Sequence, residues 1–253
     1  MLNVARKSAE LFAERSAAIS AGYRRVGMDF PSMGEHWVNP RLVFEGKFDA
    51  ARPAMLTYSV VNGNAVLLGV VFAIPLDPGQ QPPAHFGSDA IWHEHNGSLA
   101  EESMLPEHHT ASPSGAAVRL AILHAWVRAP NPDGVFAAEN WALPFIRLGL
   151  SVPPGFPKGA ARAVSLLSGG ERYFLELGRD SSGLLAHSLN ACAEAAQTIV
   201  SRARSRGGVL TAAEIHRLDE AWTAEVAKVA ASAGDDVAKR INGGVLPKDE
   251  ARH

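Results

Sequence analysis

The sequence has one cysteine, no long hydrophobic run and no excess of charge of one sign, and each absence excludes a class of protein. The single cysteine, Cys192, excludes an internal disulfide. Because it lies among leucine and alanine residues, we predict a small buried hydrophobe rather than a nucleophile. No apolar run approaches the roughly 18 residues of a transmembrane helix. The net charge of −2 provides no basic surface for nucleic acid or an anionic membrane.

The chain also lacks the common catalytic and cofactor motifs. It contains no Gly-x-Gly-x-x-Gly, Walker loop, His-Glu-x-x-His, Cys-x-x-Cys or Gly-x-Ser-x-Gly sequence. Residues 1–12 have no apolar segment of the kind that a signal peptide needs. We therefore expect a cytoplasmic protein, or a periplasmic one from which a leader has been removed.

The most informative stretch is Ile91-Trp92-His93-Glu94-His95-Asn96. It is predicted to be extended, and in an extended chain residues i and i+2 point to the same face. His93 and His95 would then project side by side, with Glu94 pointing the other way. Two adjacent imidazoles on a rigid strand form half of a metal site.

Two further histidines are candidate ligands. His36 is in a predicted loop, Met33 to Pro40, where it either binds a metal or caps a turn while Trp37 fills an edge of the core. His124 is on a predicted strand, residues 118–127, and shares a face with Ile122 and Trp126. It is either a hydrogen-bonded core residue or a third strand-borne ligand, and three histidines with an open position are typical of catalytic metal sites.

Other polar residues have weaker patterns. Glu139 is a candidate catalytic or proton-handling group, and Asn140 a candidate second-sphere group, although surface placement explains both. Residues 97–117 are predicted to form a surface loop or a lid over the site, with His108 and His109 in solvent. His187 and His216 are predicted to lie on helix surfaces.

The hydrophobic pattern predicts an α+β fold with a mostly antiparallel sheet, open or barrel-like. An amphipathic helix is predicted over residues 1–26, and β structure over 41–76 with a hairpin turn at Asn62-Gly63. The return strand, 66–74, is apolar on both faces and should be central. We expect a β-rich domain over 1–148 and a helical region over 158–243, with helices at 158–168, 170–178, 182–206 and 211–232. Thr211 and Glu214 form a predicted capping box.

Two motifs resemble the signature of an uncharacterised bacterial protein family. The first is Met-Gly-x-His-x-x-Asn-Pro, at Met33 to Pro40; the second is Leu-His-x-Trp followed by Asn-Pro-x-Gly-x-Phe-Ala, at Leu123 to Trp126 and Asn131 to Ala137. The resemblance covers roughly residues 20–145. It implies no activity, but it implies that His36 and His124 belong to one site. A looser similarity is to cupins, whose His-x-His motif is followed by a Glu; here Glu101 and Glu102 come later than that motif requires.

These observations favour a metal-dependent enzyme that activates dioxygen or water on a small molecule. His93, His95 and His124 would bind one transition-metal ion, with His36 as a fourth ligand or a supporting group. Trp37, Trp92 and Trp126 lie close to these histidines in the sequence and are expected to wall a dry pocket. All-imidazole ligation suits iron, copper, zinc or nickel. The alternatives are a non-catalytic metal-binding or ligand-binding protein and an oligomeric structural protein. We expect a homo-oligomer and no nucleic-acid or membrane partner.

Overall fold

The computed structural model describes residues 1–87, 90, 92–96, 119–178 and 182–245, and of residues 94–96 and 182 it describes the backbone only. The chain divides into two compact units. The first comprises Met1–Met28 and Met33–Ala138, and the second Asp29–Ser32 and Glu139–His253. In the described part of the chain, no helix is long and apolar enough to cross a membrane.

Six strands form one sheet with the order β1-β2-β3-β4-β6-β5. The four neighbouring pairs from β2 to β5 are antiparallel. The strands are β1 (Arg24–Phe30), β2 (Gly34–Val38), β3 (Met55–Val61), β4 (Asn64–Leu76), β5 (His93–Asn96) and β6 (Arg119–Ala125).

The hairpin between β3 and β4 confirms the predicted turn. Asn62 and Gly63 both have positive φ, 50° and 80°. This is the backbone of a two-residue turn that matches the twist of the flanking strands, and Asn-Gly adopts it at low cost. Strand β4 lies between β3 and β6, which confirms that the strand with two apolar faces is central.

The two faces of the sheet bury different residues. On one face Val70 and Phe72 of β4 pack with Leu123 and with residues of the N-terminal helices, such as Ala5. On the other face Val71 and Ala73 pack with Met55 and Ile122. We call this second face the histidine face, because it carries His36, His93 and His124, as described below.

The prediction of one helix over residues 1–26 is wrong. The structure has α1 (Leu2–Glu10) and α2 (Arg15–Ser20), and β1 already begins at Arg24. Between the helices, the Phe12 carbonyl accepts a hydrogen bond of 2.5 Å from the hydroxyl of Tyr58 on β3. This bond attaches the turn between the two helices to the sheet, a tertiary contact that the local periodicity does not encode.

The predicted loop over residues 33–40 is also wrong, and so is the β assignment of residues 41–45. Residues 34–38 form β2, which pairs with β3, and α3 (Pro40–Glu45) follows it. The side chain of Asn39 caps α3 by accepting from the Leu42 amide, Pro40 occupies the first turn, and Gly46 ends the helix with φ 62°. All three are local helix signals.

The second unit is helical, as predicted. Its buried core joins all of its longer helices and includes Cys192, which is fully buried as expected. Thr211 and Glu214 form the predicted capping box. The shorter helices at 143–147 and 235–242 were not predicted. The helices are α4 (Leu143–Arg147), α5 (Lys158–Ser165), α6 (Glu171–Leu177), α7 (Ser182–Ser205), α8 (Ala212–Ala233) and α9 (Asp235–Asn242).

The fold is therefore α+β, with an antiparallel sheet, as the pattern predicted. The described strands form an open sheet with β1 and β5 at its edges, so barrel closure does not occur among them. The second unit begins at Glu139 and includes Asp29–Ser32. The division in the chain thus precedes the Pro/Gly-rich segment at 149–157 where the sequence indicated a boundary.

Candidate functional site

His124 is the central residue of the histidine face. It lies on β6 directly opposite Val71 of β4, and Ile122, two residues earlier, lies opposite His93 of β5. Residues paired across an antiparallel ladder share a face, as do residues i and i+2. The backbone register therefore places His93 and His124 on one face, as the sequence predicted.

The rings of three histidines are in contact. The His124 ring centroid is 5.6 Å from that of His93, with an angle of 24° between the planes, and 5.5 Å from that of His36, at 84°. His36 is fully buried, His124 is 2% exposed and His93 is half-buried. The three side chains therefore form one cluster that reaches from the interior toward the β5 edge.

His36 reaches the cluster because β2 is a strand. It lies opposite Thr57 of β3, and Val38, on the same face, lies opposite Met55. The loop interpretation did not predict this position. That His36 and His124 belong to one functional site, as the resemblance to the bacterial family implies, stays a prediction.

Several predicted features lie outside what the structure describes. The backbone of His95 lies opposite Leu120 in the ladder, but its side chain is outside the described part. The same holds for the loop at 97–117 as a whole, with His108, His109, Glu101 and Glu102. His187 and His216 are exposed on α7 and α8, which confirms their assignment to helix surfaces.

Of the three tryptophans expected to line the site, Trp126 contacts the cluster. Its ring centroid is 6.1 Å from that of His124, and its Nε1 donates to the Ala137 carbonyl at 2.7 Å. Trp37 follows His36 on β2, so it points to the opposite face, where it packs on Tyr58. Trp92 packs near Phe48, at 6.4 Å between ring centroids. The expectation that Trp37 lines the histidine site is therefore wrong.

Two residues beside the cluster were not recognised from the sequence. Thr57, opposite His36, is buried and donates its hydroxyl to the Gly69 carbonyl at 3.4 Å. A Cβ on Gly69 would lie 2.3 Å from the Ala125 carbonyl oxygen, so only glycine fits there. A glycine inside an apolar strand is a signal of such close backbone approach.

The charged groups of β2 lie on the face opposite His36. Glu35 is buried, and its carboxylate is 2.6 Å from Arg15 and 3.3 Å from Arg25. The Trp37 indole also donates to it, at 3.3 Å. This carboxylate is thus neutralised by two guanidinium groups on the far side of the sheet from the histidines.

Glu139, the predicted catalytic residue, belongs to the second unit. The Ser32 hydroxyl donates to its Oε2 through a very short hydrogen bond. Asn140 is fully buried, not on the surface; its Oδ1 accepts from the Ala142 amide at 3.2 Å. Burial, and next the negative charge of Glu139, raise the pKa of Tyr173. A catalytic role for Glu139 stays a prediction.

The cluster fits a metal ion in donor type and ring spacing but not in arrangement. Two imidazoles that share a tetrahedral ion at about 2.1 Å have ring centres roughly 5 Å apart, close to the distances between His124 and its two neighbours. Among the described side chains, however, no group of three or more His, Cys, Asp or Glu residues is arranged to hold a metal ion. The described histidines alone do not complete a site in this conformation.

The fold and the cluster define an α+β protein that carries contacting histidines on one face of an antiparallel sheet. The chain matches no protein-family model, and no curated protein or solved structure is significantly similar to it. The resemblance to the bacterial family therefore stays a prediction that depends on its two motifs alone.

Proposed function

We propose that the histidine face is a transition-metal centre and that the protein is a metal-dependent enzyme acting on a small molecule. The observation that supports this most directly is the contact of the His124 ring with both His36 and His93. These residues come from three separate strands, β2, β5 and β6, so the fold brings together imidazoles that are distant in sequence.

Each histidine would have a different task in such a centre. His36 and His124, both buried, would hold the ion away from bulk water, and His93, half-buried near the sheet edge, would lie on its accessible side. His95, on the same strand as His93, is the third proposed strand-borne ligand beside His93 and His124, and His36 is either a fourth ligand or a supporting group. Trp126, in contact with His124, would form an apolar wall that fixes the orientation of that imidazole.

The ion would supply Lewis acidity or redox chemistry toward bound water or dioxygen. Iron, copper and zinc all accept imidazole ligands, and ligand type alone does not distinguish them.

The experiment is a measurement of metal content in protein purified without a histidine tag. We expect about one transition-metal ion per chain, and at least a tenfold loss in a His93→Ala/His95→Ala variant and in His124→Asn. A matched control is His187→Ala/His216→Ala, which removes two exposed helical histidines and should keep the metal. Absence of metal in the unaltered protein, with no uptake of added iron, copper, zinc or nickel, would refute the proposal and favour an oligomeric structural role.

A non-catalytic metal-binding or ligand-binding protein is the second candidate, and the deep burial of His36 and His124 favours it. A catalytic centre keeps a ligand position open, whereas a structural one is closed. Azide added to the cobalt-substituted or copper-substituted protein distinguishes the two. A change in the visible spectrum would support an enzyme, and an unchanged spectrum would support a closed, non-catalytic site.

A further inference from the structure

The segment that follows β4 is attached to the sheet at its start. It comprises residues 77–87, which contain three prolines that restrict the backbone, and we call it the arm. The carbonyls of Asp77 and Gln80 accept hydrogen bonds of 3.3 and 3.2 Å from the guanidinium group of Arg119 on β6. These bonds fix one end of the arm, and β5 begins a few residues beyond its other end.

Two aromatic side chains at the far end of the arm pack on Phe48. The His85 ring stacks on it, with 4.5 Å between the ring centroids, and the Phe86 ring lies 5.5 Å away at 82°. Phe86 also lies 5.5 Å from Phe72 of β4 and 4.9 Å from Phe136. Aromatic rings at these distances attract one another and bury apolar surface. The far end of the arm is therefore held by several ring contacts at once.

Phe86 holds this position in an unfavourable backbone conformation. Its φ is 73° and that of Gly87 is 79°, consecutive positive values like those of Asn62 and Gly63 in the hairpin. Asparagine tolerates a positive φ, whereas a bulky aromatic residue rarely adopts one. Backbone strain of this kind persists only where the surrounding structure compensates for it, and it is concentrated at functional positions. The ring contacts of Phe86 supply that compensation.

Phe48 links the arm to the start of β5. The Trp92 ring lies 6.4 Å from the Phe48 ring, at 67°, on the same face of the sheet as Phe72. The next residue, His93, points to the histidine face, where its ring stacks on that of His124 at 5.6 Å. Strand β5 has four residues and pairs only with β6 in the described sheet. Because so short an edge strand has little stability of its own, ring contacts at its start contribute to holding it in place.

We infer that Phe86 is a positioning residue for the proposed metal centre. Through the ring of Phe48 it fixes the start of β5, and so it orients His93. This inference rests on the proposed function, in which His93 is a ligand. Without the Phe86 ring, the strained backbone of the arm loses its compensation and the arm separates from Phe48. Groups that orient a metal ligand typically change metal affinity by about ten- to a hundredfold.

Hydrogen exchange in the metal-free full chain tests the positioning independently of any metal. In Phe86→Ala, the amides of β5 should exchange at least about tenfold faster than in the unaltered chain, and those of the β3–β4 hairpin should change by less than about twofold. Phe44→Ala is the matched control, because Phe44 is 62% exposed and its loss should leave both rates unchanged. Equal acceleration throughout the sheet, or none in β5, would overturn the inference.

Titration with cobalt(II) provides the readout at the metal. Phe86→Ala should bind cobalt at least about tenfold more weakly, and its visible spectrum should change toward that of His93→Ala, since both variants lose a well-placed imidazole. An unchanged affinity and spectrum would overturn the inference. If the unaltered chain bound no metal, the proposed function would fail, whereas the exchange rates would still decide whether Phe86 fixes β5.

Phe86→Asn keeps the test decisive if Phe86→Ala does not fold. Asparagine suits a positive φ, as Asn62 shows, but it lacks the ring. This variant should fold and show the same faster exchange in β5 and the same weaker cobalt binding. A Phe86→Asn protein that matched the unaltered chain in both measurements would show that the ring does not position His93.

Discussion

Both units pair buried charged groups with opposite charges, as Glu35 of the sheet unit does with Arg15 and Arg25, but the sheet unit also buries a cluster of like groups. In the helical unit, the buried charged groups pair with opposite charges or with helix ends: Arg147 with Asp29, Arg162 with the carbonyls of Asn242 and Gly244, and Glu214 with Thr211 and Arg206. Each pairing stabilises local structure. In the sheet unit, His36, His93 and His124 come from three strands and contact one another.

This difference separates structural polar groups from candidate functional ones. An ion pair or a helix cap offsets the cost of burial through its partner, whereas clustered imidazoles are like groups that repel one another once protonated. Clusters of titratable groups of one kind are therefore more typical of sites than of scaffolds. Substitutions that should affect only one unit test this difference between the two units.

The largest effect is expected at Gly69, in the sheet unit. In Gly69→Val, the new side chain would meet the Ala125 carbonyl, because the Cβ position is only 2.3 Å from that oxygen. Ala125 follows His124, so the strand that carries the central histidine would have to move. We expect a loss of about 3 kcal/mol or more in the free energy of unfolding, measured with urea.

The matched control is Gly183→Ala in the helical unit. Among the described residues, apart from its chain neighbours and the backbone of its own helix, no atom lies within 4 Å of its Cβ position. Alanine also has the higher helix propensity. This variant should be as stable as the unaltered chain or more stable, by up to about 1 kcal/mol. If Gly69→Val were equally well tolerated, the close packing of β4 against β6 beside the cluster would be refuted.

How far the sequence predicts these features depends on whether the signal is local. The Asn62-Gly63 turn and the Thr211–Glu214 cap were predicted because a few adjacent residues determine them. Strand β2 was not, since Gly34 and Pro40 resemble loop signals; Gly34 has φ 82°, and a Cβ there would lie 2.4 Å from the Tyr58 carbonyl oxygen of β3. That requirement comes from the neighbouring strand and cannot be read from residues 33–40.

In the candidate site too, the sequence predicted the features that depend on a single strand and not those that depend on neighbouring strands. Strand parity placed His93 with His95, and His124 with Ile122 and Trp126. That His93 and His124 share a face was an expectation of the metal hypothesis, and it depends on the register of β5 against β6. His36 was proposed as a ligand because of the composition of residues 33–40 and because of the resemblance. Its place beside His124 depends on the order of the strands in the sheet. Helix α3 was missed for a different reason: Asn39, Pro40 and Gly46 are helix signals, but the first two were assigned to a loop and the third to β structure.

The second largest effect is expected at Arg147, in the helical unit. Its side chain is 4% exposed, its Nη2 lies 2.5 Å from Asp29 Oδ1, and it donates to the carbonyls of Phe30 and Ser168. Arg147→Met should cost about 2 kcal/mol in urea unfolding. This is less than the loss for a fully buried pair, because Asp29 is 31% exposed and regains water.

Arg172→Met is the control for this charge. Arg172 is exposed and lies 3.7 Å from Glu176 on the same helix, so its removal should change stability by at most about 0.5 kcal/mol. Metal content should be unchanged in both variants, since neither residue belongs to the histidine face. If Arg147→Met stayed folded but lost metal, Arg147 would contribute to metal binding. The assignment of structural polar groups to the helical unit and of the metal site to the sheet unit would then be wrong.

The smallest effect is expected at Glu214, and it depends on pH. Hydrogen bonds from the Thr211 backbone amide, and next from Arg206, lower the pKa of Glu214 to about 2. A folded-state pKa below the unfolded value of about 4.3 stabilises the protein fully above the unfolded pKa. That contribution is lost as the pH falls through the folded pKa, so the window runs from about pH 4.5 to about pH 2.

Glu214→Gln should therefore cost about 1 kcal/mol at pH 7, because it removes the charge while keeping most of the cap. Between pH 4.5 and pH 2 the difference from the unaltered chain should shrink toward zero, as measured by urea midpoints at several pH values. Glu194→Gln, at an exposed glutamate of α7, should show no such convergence. A stability difference that stayed constant with pH would mean that the ionised carboxylate does not stabilise the start of α8. The pairing of Glu214 with Thr211 and Arg206 would then not be one of the stabilising polar pairs of the helical unit.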